Sequence, residues 1–82
     1  MAKTFHLTVA KVGENLFDGE AVSATVPGVE GVFQVLAGHE AFVSELAAGD
    51  VRVTTPDDTV HSFTISDHGI AEVSYNQATI LL

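Results

Sequence analysis

Apolar and polar residues alternate with a period of two along most of the chain. In "TFHLTVA" Phe5, Leu7 and Val9 fall on one side, and His6 and Thr8 on the other. "AVSATV" repeats the pattern with Val22, Ala24 and Val26; "DVRVT" gives Val51 and Val53; "HSFTI" gives Phe63 and Ile65. Near the end, Ile80 and Leu82 oppose Leu81. An extended strand turns successive side chains to opposite faces, so this pattern predicts half-buried β-strands. The β-branched residues frequent in these runs suit a pleated surface. Breaks recur at Gly13, Gly19, Pro27-Gly28, Gly38, Gly49, Pro56-Asp57-Asp58, Asp67-His68-Gly69 and Tyr75-Asn76-Gln77. Turn signals spaced roughly 8–12 residues apart predict an all-β fold, a sandwich or barrel of about nine short strands. "GHEAFVSELAAG" places Phe42 and Leu46 at helical spacing, but a strand starting near Ala41 is expected there. No linker or repeat divides residues 1–82, which read as a single domain.

Composition narrows the function classes. Eleven acidic residues face only Lys3, Lys11 and Arg52, a net charge of −8. Displacing counterions from a phosphate backbone takes several clustered cations, so nucleic acid is excluded as a partner, and anionic lipid is disfavoured. The acidic balance reads as good solubility, with salt adaptation or a basic protein partner as sharper alternatives. The chain has no cysteine, hence no disulfide and no thiol chemistry. The opening "MAKTFHLTVA" has no signal-peptide pattern, and no run reaches the roughly 18 apolar residues of a membrane helix. No direct membrane insertion is expected.

Each candidate for chemistry fails on spacing. A phosphate-cradling loop needs glycines five apart followed by Lys and Ser or Thr; here Gly31 and Gly38 are seven apart, His39 follows, and no lysine lies beyond Lys11. The glycines of "VPGVEGVFQVLAGHEAF" are therefore expected to supply positive φ at turns. His39-Glu40 would open a zinc-protease helix only with a second histidine four residues on, where Val43 stands. Ser66-Asp67-His68 holds the three triad residue types in a row, but neighbours on an extended segment point apart and cannot form a relay. Asp57-Asp58 after Pro56 reads as a solvated hairpin loop. Catalytic residues, cofactors and metals are all expected to be none. A binding surface remains, with Phe42 and Val43 flanked by His39, Glu40, Ser44 and Glu45. Core packing of Phe42 is an equally open reading.

A series of motifs in order along nearly the whole chain carries a resemblance. "FHLTV", "LFDGEAVSATVPGVEG", "FQVLAGHEAF", "LAAGDVRV", "FTISDHGIAEV" and "ATILL" together resemble the N-terminal domain of the epsilon subunit of rotary F-type ATP synthases. The resemblance implies a flattened β-sandwich of about ten strands. It also implies a non-catalytic rotor subunit that docks on the gamma subunit and on the polar loops of the c-ring, within the larger ATP synthase complex. Such a subunit would lie peripherally on the cytoplasmic face of the bacterial inner membrane and help couple proton or sodium flow to ATP synthesis.

By position, the c-ring-facing loop of the family corresponds to Val29, Glu30, Gly31, Val32 and Phe33. Gly38, His39, Glu40, Phe42, Val43 and Ser44 match the region bordering gamma and the ring, and Lys11 lies near the gamma-facing edge. Several positions depart from the family pattern. Val32 stands where an acid is common, Ala37 where a proline precedes the glycine, and "HEAF" lacks the usual proline. "SDHG" has one residue more than the usual turn, which predicts a bulge. Family members commonly continue into an inhibitory helical hairpin; the sequence resembles the short form without it, unless it is a truncation. A free-standing acidic β-sandwich adaptor for another partner is the alternative function.

Overall fold

The computed structural model describes residues 3–38 and 40–82. Their strands are β1 (Phe5–Lys11), β2 (Glu14–Ala21), β3 (Ser23–Gly28), β4 (Gly31–Leu36), β5 (Phe42–Thr54), β6 (Val60–Ser74) and β7 (Gln77–Leu81). They form one hydrogen-bonded sheet in the order β2-β1-β7-β6-β5-β3-β4. All pairings are antiparallel except that of β1 with β7.

The sheet is folded over on itself. The first half of β6 pairs only with the second half of β5, whereas its second half lies between the first half of β5 and β7. One layer therefore comprises β2, β1, β7 and these inner halves of β6 and β5. The opposing layer comprises the other halves, with β3 and β4. Ring contacts confirm the closure. In a flat sheet β2 would lie three strand spacings, about 14 Å, from β6, yet the centroids of Phe17 and Phe63 are 6.2 Å apart. Phe33 of β4 and Phe42 of β5 meet edge-on at 5.5 Å.

The core follows from the alternation. Phe5, Leu7, Val9, Ala71, Val73, Ala78 and Ile80 from one layer meet Ala24, Val26, Val35, Val51, Val53 and Ile65 from the other, all buried. No buried side chain among the described residues is polar or charged. Leu81, opposed to Ile80 in the pattern, is 47% exposed.

The strands number seven, not nine or ten, because several turn signals lie inside continuous strands. Gly49 lies within β5 and Asp67-His68-Gly69 within β6. Ala47 pairs with His68 and Gly49 with Ile65, so Ser66 and Asp67 together face Ala48. This is the bulge expected from "SDHG"; the extra residue sharpens twist and bends the ribbon without reversing the chain. Gly49 adopts φ 152° with Pro27 packed over it, where an added Cβ would stand 3.1 Å from the proline Cβ. Gly19 likewise lies inside β2 rather than at a break. The helical spacing around Phe42 is overridden by β pairing, and β5 begins at Phe42 as expected.

Pro56-Asp57-Asp58 does form the hairpin loop between β5 and β6. The Asp58 N–H donates to the Thr55 carbonyl at 2.9 Å, and Asp58 takes the left-handed conformation at φ 66°. The Thr55 hydroxyl donates to the Asp57 carboxylate, and the Thr59 N–H donates to it at 3.3 Å. These bonds favour the charged form and hold the Asp57 carboxyl below its ordinary value of 3.8, the Thr55 hydroxyl being the largest cause.

Gly69 leaves no room for a side chain, since an added Cβ would stand 2.5 Å from the Leu81 carbonyl oxygen. Gly69→Ala should therefore cost about 1–3 kcal/mol by overpacking against rigid backbone, read as a lower urea midpoint at unchanged m-value. For Asp57, a lowered folded pKa means its contribution is present above the unfolded value and is lost as pH falls through the folded one. Thr55→Val should move the carboxyl titration upward toward 3.8, followed by carboxyl ¹³C shifts. An unmoved titration would show that the hydroxyl does not hold the charge.

Candidate functional site

The β3–β4 hairpin closes through Val29 and Glu30, between the paired Gly28 and Gly31. Gly31 has φ 133° and Gly38 φ 79°, so both supply the positive φ expected of them. The start of β5 runs beside this tip, and the Val29 N–H donates to the Glu45 carbonyl at 3.1 Å. Together they line an open groove of about 720 Å³, from Gly28 through Phe33 on one side and Phe42 through Glu45 on the other. Val29, Glu30, Gly31, Val32 and Phe33 are thus brought together with Phe42, Val43 and Ser44.

The groove has an apolar character with an acidic rim. Val32 is 72% exposed and Val43 68%, while Phe33 and Phe42 are half-buried and packed against the core. Both readings of Phe42 therefore hold: it supports the core and lines the surface. Glu30 and Glu45 supply the charge, and no described Lys, Arg or His lines the groove. The Ser44 hydroxyl donates to the Glu45 carbonyl at 3.2 Å. Such a surface has the chemistry of protein contact.

Other expected site residues lie elsewhere. Gly38 follows the far end of β4, where its N–H donates to the Tyr75 carbonyl at 3.1 Å and ties the β4–β5 turn to the β6–β7 turn. Glu40 is exposed beyond that turn, and His39 lies outside the described residues. Lys11 ends β1, 3.4 Å from Glu14, and lines a second groove with Leu16, Phe63, Leu82 and the hydroxyl residues Ser62, Thr64 and Ser66. Glu45, which the sequence places beside Phe42 and Val43, belongs to the first groove, as does Gly28, which was not expected there. The period-two rule that faces Val43 outward faces Glu45 the same way, so the signal for Glu45 was available.

The described histidines do not converge. His6 contacts Asp18, with its Nδ1 3.8 Å from Glu20; His61 packs against the Phe17 ring at 5.3 Å; His68 pairs with Asp67 at 3.1 Å. No cluster of three or more metal-ligating side chains occurs among the described residues.

Comparison with known proteins places this geometry. Residues 4–82 match the model of the ATP synthase delta/epsilon chain β-sandwich domain. The ATP synthase epsilon chain of Chlorobium limicola is 37% identical over 79 residues, covering 96% of this chain and 89% of that one. That of Bradyrhizobium sp. strain ORS 278 is 40% identical over 78 residues, but there this chain spans only 56% of the relative's length. Among solved structures, a chain of the Euglena gracilis mitochondrial ATP synthase (OSCP/F1/c-ring) superposes with TM-score 0.87 at 30% identity, covering 95% of this chain and 49% of that one. A chain of the Tetrahymena thermophila mitochondrial ATP synthase central stalk and c-ring shares the fold, with TM-score 0.74 at 15% identity and 98% and 63% coverage. Seven strands, their folded-over arrangement and the match over residues 4–82 make this chain a member of the ATP synthase delta/epsilon β-sandwich family, whose curated relatives here are epsilon chains.

Proposed function

We propose that the chain is a non-catalytic central-stalk subunit of an F-type ATP synthase, docking on the gamma subunit and on the polar loops of the c-ring. Within a family of epsilon chains, the observation that carries this reading is the groove between the β3–β4 tip and the start of β5. There, exposed Val29, Val32 and Val43 stand over a fixed aromatic base of Phe33 and Phe42. Hydrophobic contact supplies affinity at such a surface, and the Glu30 and Glu45 rim favours a partner loop with a compensating cation. Val32 makes this contact more apolar than the acid common at its position would.

The subunit helps couple ion translocation to ATP synthesis by staying folded under load. Close-packed interiors have low compressibility, so a dry sandwich transmits displacement between its two ends with little internal yield. Lys11, in a separate groove, is the candidate contact for gamma, leaving the hairpin-tip groove for the ring. No helix among the described residues is long and apolar enough to cross a membrane. A peripheral position on the cytoplasmic face of the bacterial inner membrane is part of the same proposal.

Co-purification with the gamma subunit and a detergent-solubilised c-ring tests the reading. Val43→Asp should weaken assembly with the ring by about tenfold or more at an unchanged melting temperature, because its side chain is exposed. Lys11→Ala should lower affinity for gamma and spare the ring. Absence of any complex at micromolar concentration, in low and in high salt, would overturn the rotor assignment.

A further inference from the structure

The sheet has two free edges, β2 and β4, and they are built differently. Exposed strand edges are templates for pairing with another chain, and proteins commonly blunt them with charge. β2, "ENLFDGEA", carries Glu14, Asp18 and Glu20. β4, "GVFQVL", carries no charged residue and no proline.

The backbone phase of β4 can be read from its neighbours. Gly28 and Gly31 close a two-residue loop and form a hydrogen-bonded pair, so the bonds to β3 continue at Phe33 and Val35. Pro27, which has no N–H, accordingly faces Val32 at a position that needs none. The amides and carbonyls of Val32, Gln34 and Leu36 therefore point away from β3, to the open side. Their side chains share the outward face, with Val32 72% and Leu36 47% exposed and Gln34 exposed between them.

We infer that β4 is a homodimerisation edge, pairing antiparallel with β4 of a second copy about a two-fold axis at Gln34. The sequence of this edge is self-complementary in that register. Val32 faces Leu36 of the second copy, Leu36 faces its Val32, and the Gln34 side chains oppose each other, where two amides can exchange hydrogen bonds. Such an isologous contact closes at two copies and satisfies the outward backbone groups of both strands. In this register Glu30 falls opposite Gly38 of the second copy rather than opposite an acid. The net charge of −8 on each chain opposes association at long range, so the dimer should strengthen with salt. The inference needs only the free edge and does not depend on the rotor reading; because Val32 also lines the groove, self-pairing and docking there would compete.

Sedimentation of the isolated 82-residue chain across concentration and salt, with amide exchange by NMR, tests it. The expected result is a monomer–dimer equilibrium that tightens from low to high salt, with the Val32, Gln34 and Leu36 amides gaining protection as the dimer fills. Gln34→Lys places like charges face to face on the axis and should weaken the dimer by about tenfold or more without lowering the melting temperature of the monomer. Gln34→Val should tighten it. A chain that stays monomeric at millimolar concentration in high salt would overturn the inference. So would a dimer indifferent to both substitutions, or one whose protected amides lie on β2.

Discussion

The architecture depends on two long strands that belong to both layers. β5 and β6 are paired along almost their whole length, and the break in their register at Ala48 lets the ribbon change direction without losing its hydrogen bonds. Were the ribbon straight, β1, β2 and β7 would continue one flat sheet with β3 and β4, and an apolar face drawn from every strand would meet water. Burial of that face is the main favourable term of the fold. The close packing of Pro27 over Gly49 and of Leu81 against Gly69 are local conditions that the bend imposes.

The same bend assembles the groove. It carries the start of β5 across to the β3–β4 tip, where the Val29–Glu45 backbone bond and the Phe33–Phe42 contact hold the two segments together. The exposed valines therefore stand on a scaffold with little freedom to rearrange. A rigid apolar contact loses little entropy when a partner docks. The acids at the rim select against acidic partners more than they add affinity.

Much of the fold was legible in the sequence, because burial imposes the period of two directly. Phe5, Leu7, Val9, Val51, Val53 and Ile80 were assigned inward by alternation, and all are buried. What alternation could not show was continuity. A glycine at a reversal and a glycine at a bend produce the same local signal, so Gly49 and Gly69 read as breaks between strands. Only pairing with a distant strand distinguishes the two. For the site, the resemblance named Val29–Phe33 and Phe42–Ser44 as separate regions, and nothing in either segment specifies the other. The bulge at Ser66 and Asp67 was visible as one residue too many in "SDHG". The uncharged edge of β4 lies in plain sight in "GVFQVL", but its meaning depends on knowing that no strand follows it in the sheet.

The single parallel pairing has a consequence for biosynthesis. β7 lies between β1 and β6, with His6 aligned to Gln77 and the Leu82 N–H donating to the Ala10 carbonyl at 2.9 Å. The middle of one layer is thus made by β7, which follows the other described strands in the chain. Until it emerges, β1 and β2 can form a hairpin but have no neighbour joining them to the rest. In a chain made from its N-terminus, Phe5, Leu7 and Val9 wait for β7 before their layer is complete. Closure of the layer is set by long-range contacts that form slowly, and an incomplete layer leaves apolar surface open to association.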